Sequence, residues 1–227
     1  MNLVDDRSII YLMQSHEPKK SRRGRPSKPP EHAEAIRSTL IRSGMELLTE
    51  RGYSATGIEA ILKPLGVPKG SFYYYFNSKD EFVTQVISAY ADYFANLLDR
   101  HLENTERPPI QRILDFVEAA AAGMARHNFK RGCLVGNLGQ EMSNLPDQFR
   151  WQIEAVFADW EARIASCLRE AQSKGTLAST VDTNMLAYLF WIGWEGAVLR
   201  AKLEQSDRPL KLFASEFLAS NKPLIQA

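Results

Sequence analysis

The run Ala125–Glu141, ARHNFKRGCLVGNLGQE, sets a thiol, Cys133, beside Lys130 and Arg131 and six residues after His127. Positive neighbours favour the thiolate, the form that attacks electrophiles. Cys133 is therefore a candidate sensing thiol, although a buried, inert cysteine is the commoner fate. Cys167, on an amphipathic stretch with Ile164 and Leu168, reads as core. An enzyme built on Cys133 would need His127 as its base and a third group to orient the imidazole. No such group is evident, so no catalytic residues are expected. The three glycines at 132, 136 and 139 lack the spacing of a phosphate-binding loop, and no strand precedes them. A short helix wedged among larger ones explains them better. On that helix Cys133, Asn137 and Glu141 recur every four residues and share a face, which can offer hydrogen bonds to a small carboxylate or carbonyl compound. Arg126 or Arg131 can add a bidentate grip on a carboxylate, and Phe129 lies between them in sequence.

A second unusual place is Glu195. From Met185 to Leu199 the chain is apolar nearly all round at helical spacing, and Glu195 stands inside that stretch. A lone buried carboxylate costs several kcal/mol, of order ~3, unless it is paired or protonated. Two readings stay open: an ion pair with Arg126, Arg131, Arg200 or a partner chain, or membership of a ligand pocket walled by Trp191 and Trp194. Together, Arg126, Phe129, Arg131, Cys133, Asn137, Glu141, Trp191, Trp194 and Glu195 form the candidate effector set.

A third place suits a different partner. Thr56–Phe76, TGIEAILKPLGVPKGSFYYYF, spells two short helices joined by a tight turn. Thr56 and Glu59 have capping-box spacing, and Ile58, Ile61, Leu62 and Leu65 bury one face. Gly66 serves the turn, and Pro68 suits the first turn of a second helix. Phe72 and Phe76 face inward, which leaves Lys69, Gly70, Ser71, Tyr73, Tyr74 and Tyr75 outward. Small residues at the start of such a helix let the backbone approach base edges in the major groove. Pro64 removes a hydrogen bond from the first of the two helices and should shorten or bend it.

The order G-Y-x-x-T at Gly52–Thr56, G-V-P-K-G-S-F-Y-Y-Y-F, and S-K-D-E at Ser78–Glu81 resembles the DNA-binding domain of the TetR family of one-component transcriptional repressors. Alanine is more usual in that family where Pro64 stands. The resemblance implies a homodimer on a pseudo-palindromic DNA operator, with Lys69, Gly70 and Ser71 at base edges and Tyr73 and Tyr74 at bases or phosphates. Thr56, Tyr75 and Lys79 would hold the phosphate backbone. The stretches G-M-A-R-H-x-F-x-R-G-C-L-V-G-N-L-G-Q-E and F-W-I-G-W-E-G-A-x-L-R-A-K-L-E are similar to the acrylate-utilisation repressors of that family, and the R-G-C-L corner more distantly to an electrophile-sensing repressor. The small-molecule effector so implied is acrylate or another α,β-unsaturated or electrophilic compound, held reversibly or by covalent attachment to Cys133.

These residues need an all-α scaffold. Helical periodicity runs from Glu31 to Arg51, from Lys79 to about His101, from Pro108–Pro109 to His127, from Asn144–Asp147 to Lys174, from Asp182 to Gln205 and from about Pro209 to Ser220, with no strand signal. The expected organisation is a flexible basic arm at 1–30, a helix-turn-helix domain at 31–78 and an effector-binding and dimerisation bundle at 79–227. The helix starting at Lys79 is the connecting rod. In the arm, Lys19–Lys28 gathers six positive charges, and Arg22, Arg23 and Arg25 are candidate DNA contacts. Arg-Gly-Arg-Pro there resembles an AT-hook, whose arginines enter a narrow minor groove. The net charge is +1, but residues 1–78 carry 12 Lys/Arg against 8 Asp/Glu while the remainder carries 16 against 19. A basic front on an acidic body fits a nucleic-acid-reading head. Two cysteines, no C-x-x-C and no histidine cluster predict neither a disulfide framework nor a metal or other cofactor. No apolar run is long enough to span a membrane. The start MNLVDDRSIIYLMQ is too acidic for a secretory signal, so a cytoplasmic location is expected.

Overall fold

The structure is a computed structural model describing residues 30–220; Arg22, Arg23, Arg25 and the rest of the basic arm lie outside them. Among the described residues every regular element is helical: α1 (Pro30–Arg51), α2 (Ile58–Leu62), α3 (Lys69–Tyr75), α4 (Lys79–Leu102), α5 (Pro109–Arg126), α6 (Leu134–Gln140), α7 (Asp147–Ser173), α8 (Thr183–Glu204) and α9 (Arg208–Ser220), with 3₁₀ turns at Lys63–Leu65 and Met142–Asn144. The all-α expectation therefore holds.

The helices α1–α3 close over Leu40, Leu48, Ile61, Leu62, Phe72 and Phe76, which are all buried. Phe82, from the first turns of α4, packs on Phe72 and Phe76 at ring-centre distances of 5.5 and 4.9 Å, which roots α4 in this small core. Gly44 is required there, because a Cβ would sit 2.4 Å from the Phe82 ring. Pro64 acts as its chemistry dictates: α2 stops at Leu62 and the chain tightens into a 3₁₀ turn ending at Gly66, φ +62°. The capping box expected at Thr56 and Glu59 is absent. Gly57 is the N-cap without a side-chain bond, Thr56 Oγ1 donates to the Gly52 carbonyl at 2.6 Å, and Glu59 is drawn off to Lys69. A near relative of the box forms at α4, where the N-cap Ser78 hydroxyl accepts from Glu81 N at 3.0 Å and the Glu81 carboxylate accepts from the N–H of Asn77, one residue before the cap, at 2.9 Å.

α4 runs on into a bundle with α5, α7 and α8. Its far end is pinned by Arg112, 1% exposed, which donates to the carbonyls of Leu102 and Arg107 and in a two-pronged pair to Glu170 at 2.8 and 3.0 Å. Arg163 adds a bond to Asp99. On α8, Phe190, Trp191, Trp194, Ala197 and Val198 face the bundle, while Met185, Tyr188, Leu189, Ile192 and Leu199 lie about half exposed on the other side. With Leu203 and Leu212 they leave an apolar face on α8 and α9. Gly193 of α8 faces a side chain rather than a neighbouring backbone. It admits the Phe213 ring, which a Cβ would meet at 2.3 Å.

Candidate functional site

On α3, Tyr73 and Tyr74 stand well exposed, Gly70 opens onto free space, and Tyr75 is half-buried edge-on to Tyr74 at 5.0 Å. Lys69 Nζ is exposed and held by Glu59 at 2.7 Å. This pair raises the lysine and lowers the carboxyl through their hydrogen bond and charge. Two expected phosphate contacts need correction. Thr56 is fully buried with its hydroxyl spent on Gly52, so its side chain meets no ligand. Lys79 Nζ donates to the Tyr53 carbonyl at 2.9 Å and lies 3.7 Å from the centre of the Tyr53 ring, so only its remaining N–H bonds face outward. Burial lowers the Lys79 amine.

A cavity of about 420 Å³ opens between α1, α4, α5 and α8. Of the candidate effector set it is lined by Arg126, Arg131, Cys133 and Trp194; the sequence reading missed its other wall, Arg42, Met45, Glu46 and Thr49 of α1 with Tyr90, Tyr93 and Phe94 of α4. Arg42 and Glu46 lie four apart on a helix and read as an ordinary solvated face, so nothing in the sequence marked them. Trp191 does not wall the cavity. It is buried among Trp160, Phe94 and Phe116 at 5.0–6.1 Å, and its Nε1 has no hydrogen-bond partner among the described residues. Phe129 turns away too, with a left-handed backbone at φ +55° and its ring packed on the core margin.

At the cavity's inner end Cys133 caps α6, its Sγ accepting from Gly136 N at 3.3 Å. The thiolate expectation fails here. Burial first, and then the charge of Glu195, push the thiol well above its ordinary range; Lys130 and Arg131 do not offset them. Tyr90, also buried beside Cys133 and Glu195, is raised in the same way. Of the two readings left open for Glu195, an ion pair with Arg126, Arg131 or Arg200 is not formed among the described residues. Arg131 pairs with Glu46 at 2.9 Å and Arg200 with Glu204 at 2.6 Å. The carboxyl sits over Gly136, where a Cβ would lie 1.9 Å from Oε2, and buried Oε1 has no hydrogen-bond partner among the described residues. Burial raises this carboxyl to about 7, against a hydrogen bond from the Cys133 thiol that lowers it.

Asn137 and Glu141 do share the Cys133 side of α6, but they serve the reading head rather than a ligand. Asn137 Nδ2 donates to the Thr49 carbonyl at 2.6 Å, and its Oδ1 accepts from Lys202 at 3.3 Å. The Glu141 carboxylate accepts from the backbone N–H groups of Tyr53 and Ser54, both at 2.8 Å. Gly52 makes this approach possible: its φ is +79°, and a Cβ would fall 1.9 Å from Glu141 Oε1. Tyr53 completes the joint, its hydroxyl donating to Asp80 at 2.6 Å and its ring edge-on to Phe149 of α7 at 6.0 Å. Burial, then the bond and charge of Asp80, push that phenol up to about 12. Among the described residues no group of three or more His, Cys, Asp and Glu is placed to hold a metal, and no helix is long and apolar enough to cross a membrane.

A head whose second short helix presents Lys69, Gly70, Ser71 and two exposed tyrosines, joined by one long helix to a bundle with a cavity, has the architecture of a helix-turn-helix transcription regulator. The chain belongs to the TetR family: residues 40–86 match the family model described as bacterial regulatory proteins of the tetR family, and residues 109–217 match the tetracyclin repressor-like C-terminal domain. Members typically work as dimers, and the same relationships set the chain apart from enzymes. In particular, it is 51% identical over 200 residues to the transcriptional regulator AcuR of Cereibacter sphaeroides, covering 88% of this chain and 91% of that one. It is 32% identical to the repressor DhaR of Mycobacterium sp. strain GP1, over 78% of this chain and 88% of that one. Among solved structures, the regulatory protein TetR from Rhodobacter sphaeroides superposes with a TM-score of 0.77 at 52% identity, over 79% of this chain and 95% of that one. Reduced NemR of Escherichia coli gives 0.73 at 26% identity, over 84% and 97%.

Proposed function

We propose that this protein is a cytoplasmic homodimeric repressor that leaves its operator when a small α,β-unsaturated or related compound, of the acrylate type, enters the cavity beside Cys133. The observation that carries this reading is α6: its N-terminus is capped by a cavity-lining thiol, and its middle and C-terminal end hold the reading head through Asn137 and Glu141. A shift at one end of a helix only seven residues long is carried to the other. The apolar face of α8 and α9 is the surface suited to a second copy, and a two-fold dimer suits a palindromic operator with half-sites about 34 Å apart.

On DNA, Lys69, Gly70 and Ser71 approach base edges, with Tyr73 and Tyr74 at bases or phosphates, Tyr75 and the free N–H bonds of Lys79 at the backbone, and Arg22, Arg23 and Arg25 of the arm adding phosphate or minor-groove contacts. Lys69→Ala should weaken operator binding by about 1–3 kcal/mol and random DNA much less; equal losses in an anisotropy titration would refute the assignment of Lys69 to base edges. The neutral thiol favours reversible binding, while its place on the cavity wall keeps the covalent reading in play. The test is an operator-release screen with small unsaturated acids, aldehydes and thiol reagents, read beside intact-mass spectrometry. Release without added mass, and a Cys133→Ser variant that still responds, establishes reversible sensing. A stable adduct on Cys133 with a silent Ser variant establishes the covalent route.

A further inference from the structure

The cavity lies across the joint between head and body, and its charges are lopsided. Three guanidinium groups, Arg42, Arg126 and Arg131, line it against a single carboxylate, Glu46. Arg131, in the loop before α6, donates to Glu46 Oε2 of α1 at 2.9 Å, so this one ion pair ties the head to the body at the cavity wall. The tie uses one nitrogen of Arg131. A guanidinium carries five N–H donors in a planar fork that suits a carboxylate taken two-pronged. Arg42, one turn before Glu46, and Arg126, at the end of α5, form no ion pair among the described residues. A cavity edged by uncompensated guanidinium groups attracts anions and repels cations.

We propose that the effector is a small carboxylate that takes the place of Glu46 on Arg131, so that binding unlatches α1 from the body. This rests on the effector reading above and names the ligand's charge and the bond it replaces. The exchange is easy because the latch is weakly held: the two side chains are 28% and 48% exposed, and ion pairs in such settings contribute little. Released, the Glu46 carboxylate turns to water, while Arg131 keeps an anionic partner and Arg42 and Arg126 gain one. The contacts of Asn137 and Glu141 stay in place at the end of α1, which then becomes the point about which the rest of α1 swings. Uncharged analogues of the same shape cannot make this exchange.

The test uses the full chain, a fluorescent duplex selected by the wild-type protein from a random pool, and four probes: acrylate, propionate, acrylamide and propionamide. The two acids should raise the operator Kd and the two amides should not. Glu46→Gln should raise the Kd without any probe by about five-fold, the low end of allosteric couplings, and should blunt the further response to acids. The charge-reversed pair E46R/R131E rebuilds the latch with opposite polarity; it should regain operator binding yet ignore the acids, with thermal unfolding confirming that it folds. Glu46→Gln with wild-type Kd and full acid response, a charge-reversed pair that answers acids as wild type does, or amides that act as well as acids would each overturn the exchange. Wild-type protein that answers none of these probes, and no aldehyde or thiol reagent either, would overturn the effector reading and the exchange with it; a response to aldehydes alone overturns only the exchange.

Discussion

The two ends of α6 are built on opposite terms. At the Glu141 end, a carboxylate accepts two backbone N–H groups and Asn137 spends both its donor and its acceptor, so the polar groups that join it to the head are matched. Among the described residues, the Cys133 end buries a thiol, a phenol and a carboxyl together without an ion pair, and one carboxyl oxygen has no hydrogen-bond partner. Matched polar contacts hold a single geometry; an unmatched group keeps an unmet demand that a ligand or a proton can fill. The lesson is that the head is attached firmly and the cavity end is left adjustable, within one short helix.

Breaking the firm end should have the largest effect. Gly52→Ala forces a side chain into a backbone at φ +79° and onto the Glu141 carboxylate. The strain and the lost bonds together should cost about 4 kcal/mol, seen as a collapsed denaturation midpoint and lost operator binding. Unchanged stability would mean that the joint opens without cost. Glu141→Gln keeps the shape but turns an NH₂ toward a backbone N–H, which should cost about 2 kcal/mol. It should also narrow the ratio of operator affinities measured with and without effector, since α6 then steers the head less tightly.

The adjustable end is sharpened by pH. The Glu195 carboxyl rises from 4.5 to about 7 on folding, so between those values the folded chain holds a proton that the unfolded chain has released. Stability from this group therefore falls as pH rises from 4.5 to 7 and is level above, with a total of about 3 kcal/mol at most. Glu195→Gln should remove that slope, gaining on wild type at pH 8 and matching it near pH 4.5 in denaturant melts. Parallel curves would show that the carboxyl is not buried in solution. Cys133→Ser should matter least, costing about 1 kcal/mol, because a serine hydroxyl keeps the helix cap while a more polar group replaces the buried thiol. A loss several-fold larger would show that the packing of the sulfur outweighs the cap.

Much of this was legible in the residues. Helix limits at Pro109, Asp147 and Asp182 were readable because proline and capping side chains act locally. Pro64 announced a shortened α2 for the same reason. The candidate site was harder, because a sequence shows which face of a helix a residue occupies but not what that face meets. Asn137 and Glu141 were rightly placed on the Cys133 face, and wrongly assigned to a ligand, since the backbone of Leu48–Ser54 that receives them lies more than 80 residues away. The cationic neighbours of Cys133 misled for a related reason: adjacency in sequence does not weigh burial or the charge of Glu195.

Arg112 gives the long helix a hinge post. With the far end of α4 fixed by that buried guanidinium, any rotation is delivered entirely at the end that carries Phe82 and the head. Over 24 residues, about 36 Å of helix, a tilt of only about 5° sweeps the head sideways by roughly 3 Å, close to the step between neighbouring base pairs. A lever of that length turns a change too small to disturb the bundle into a whole-register miss on the duplex.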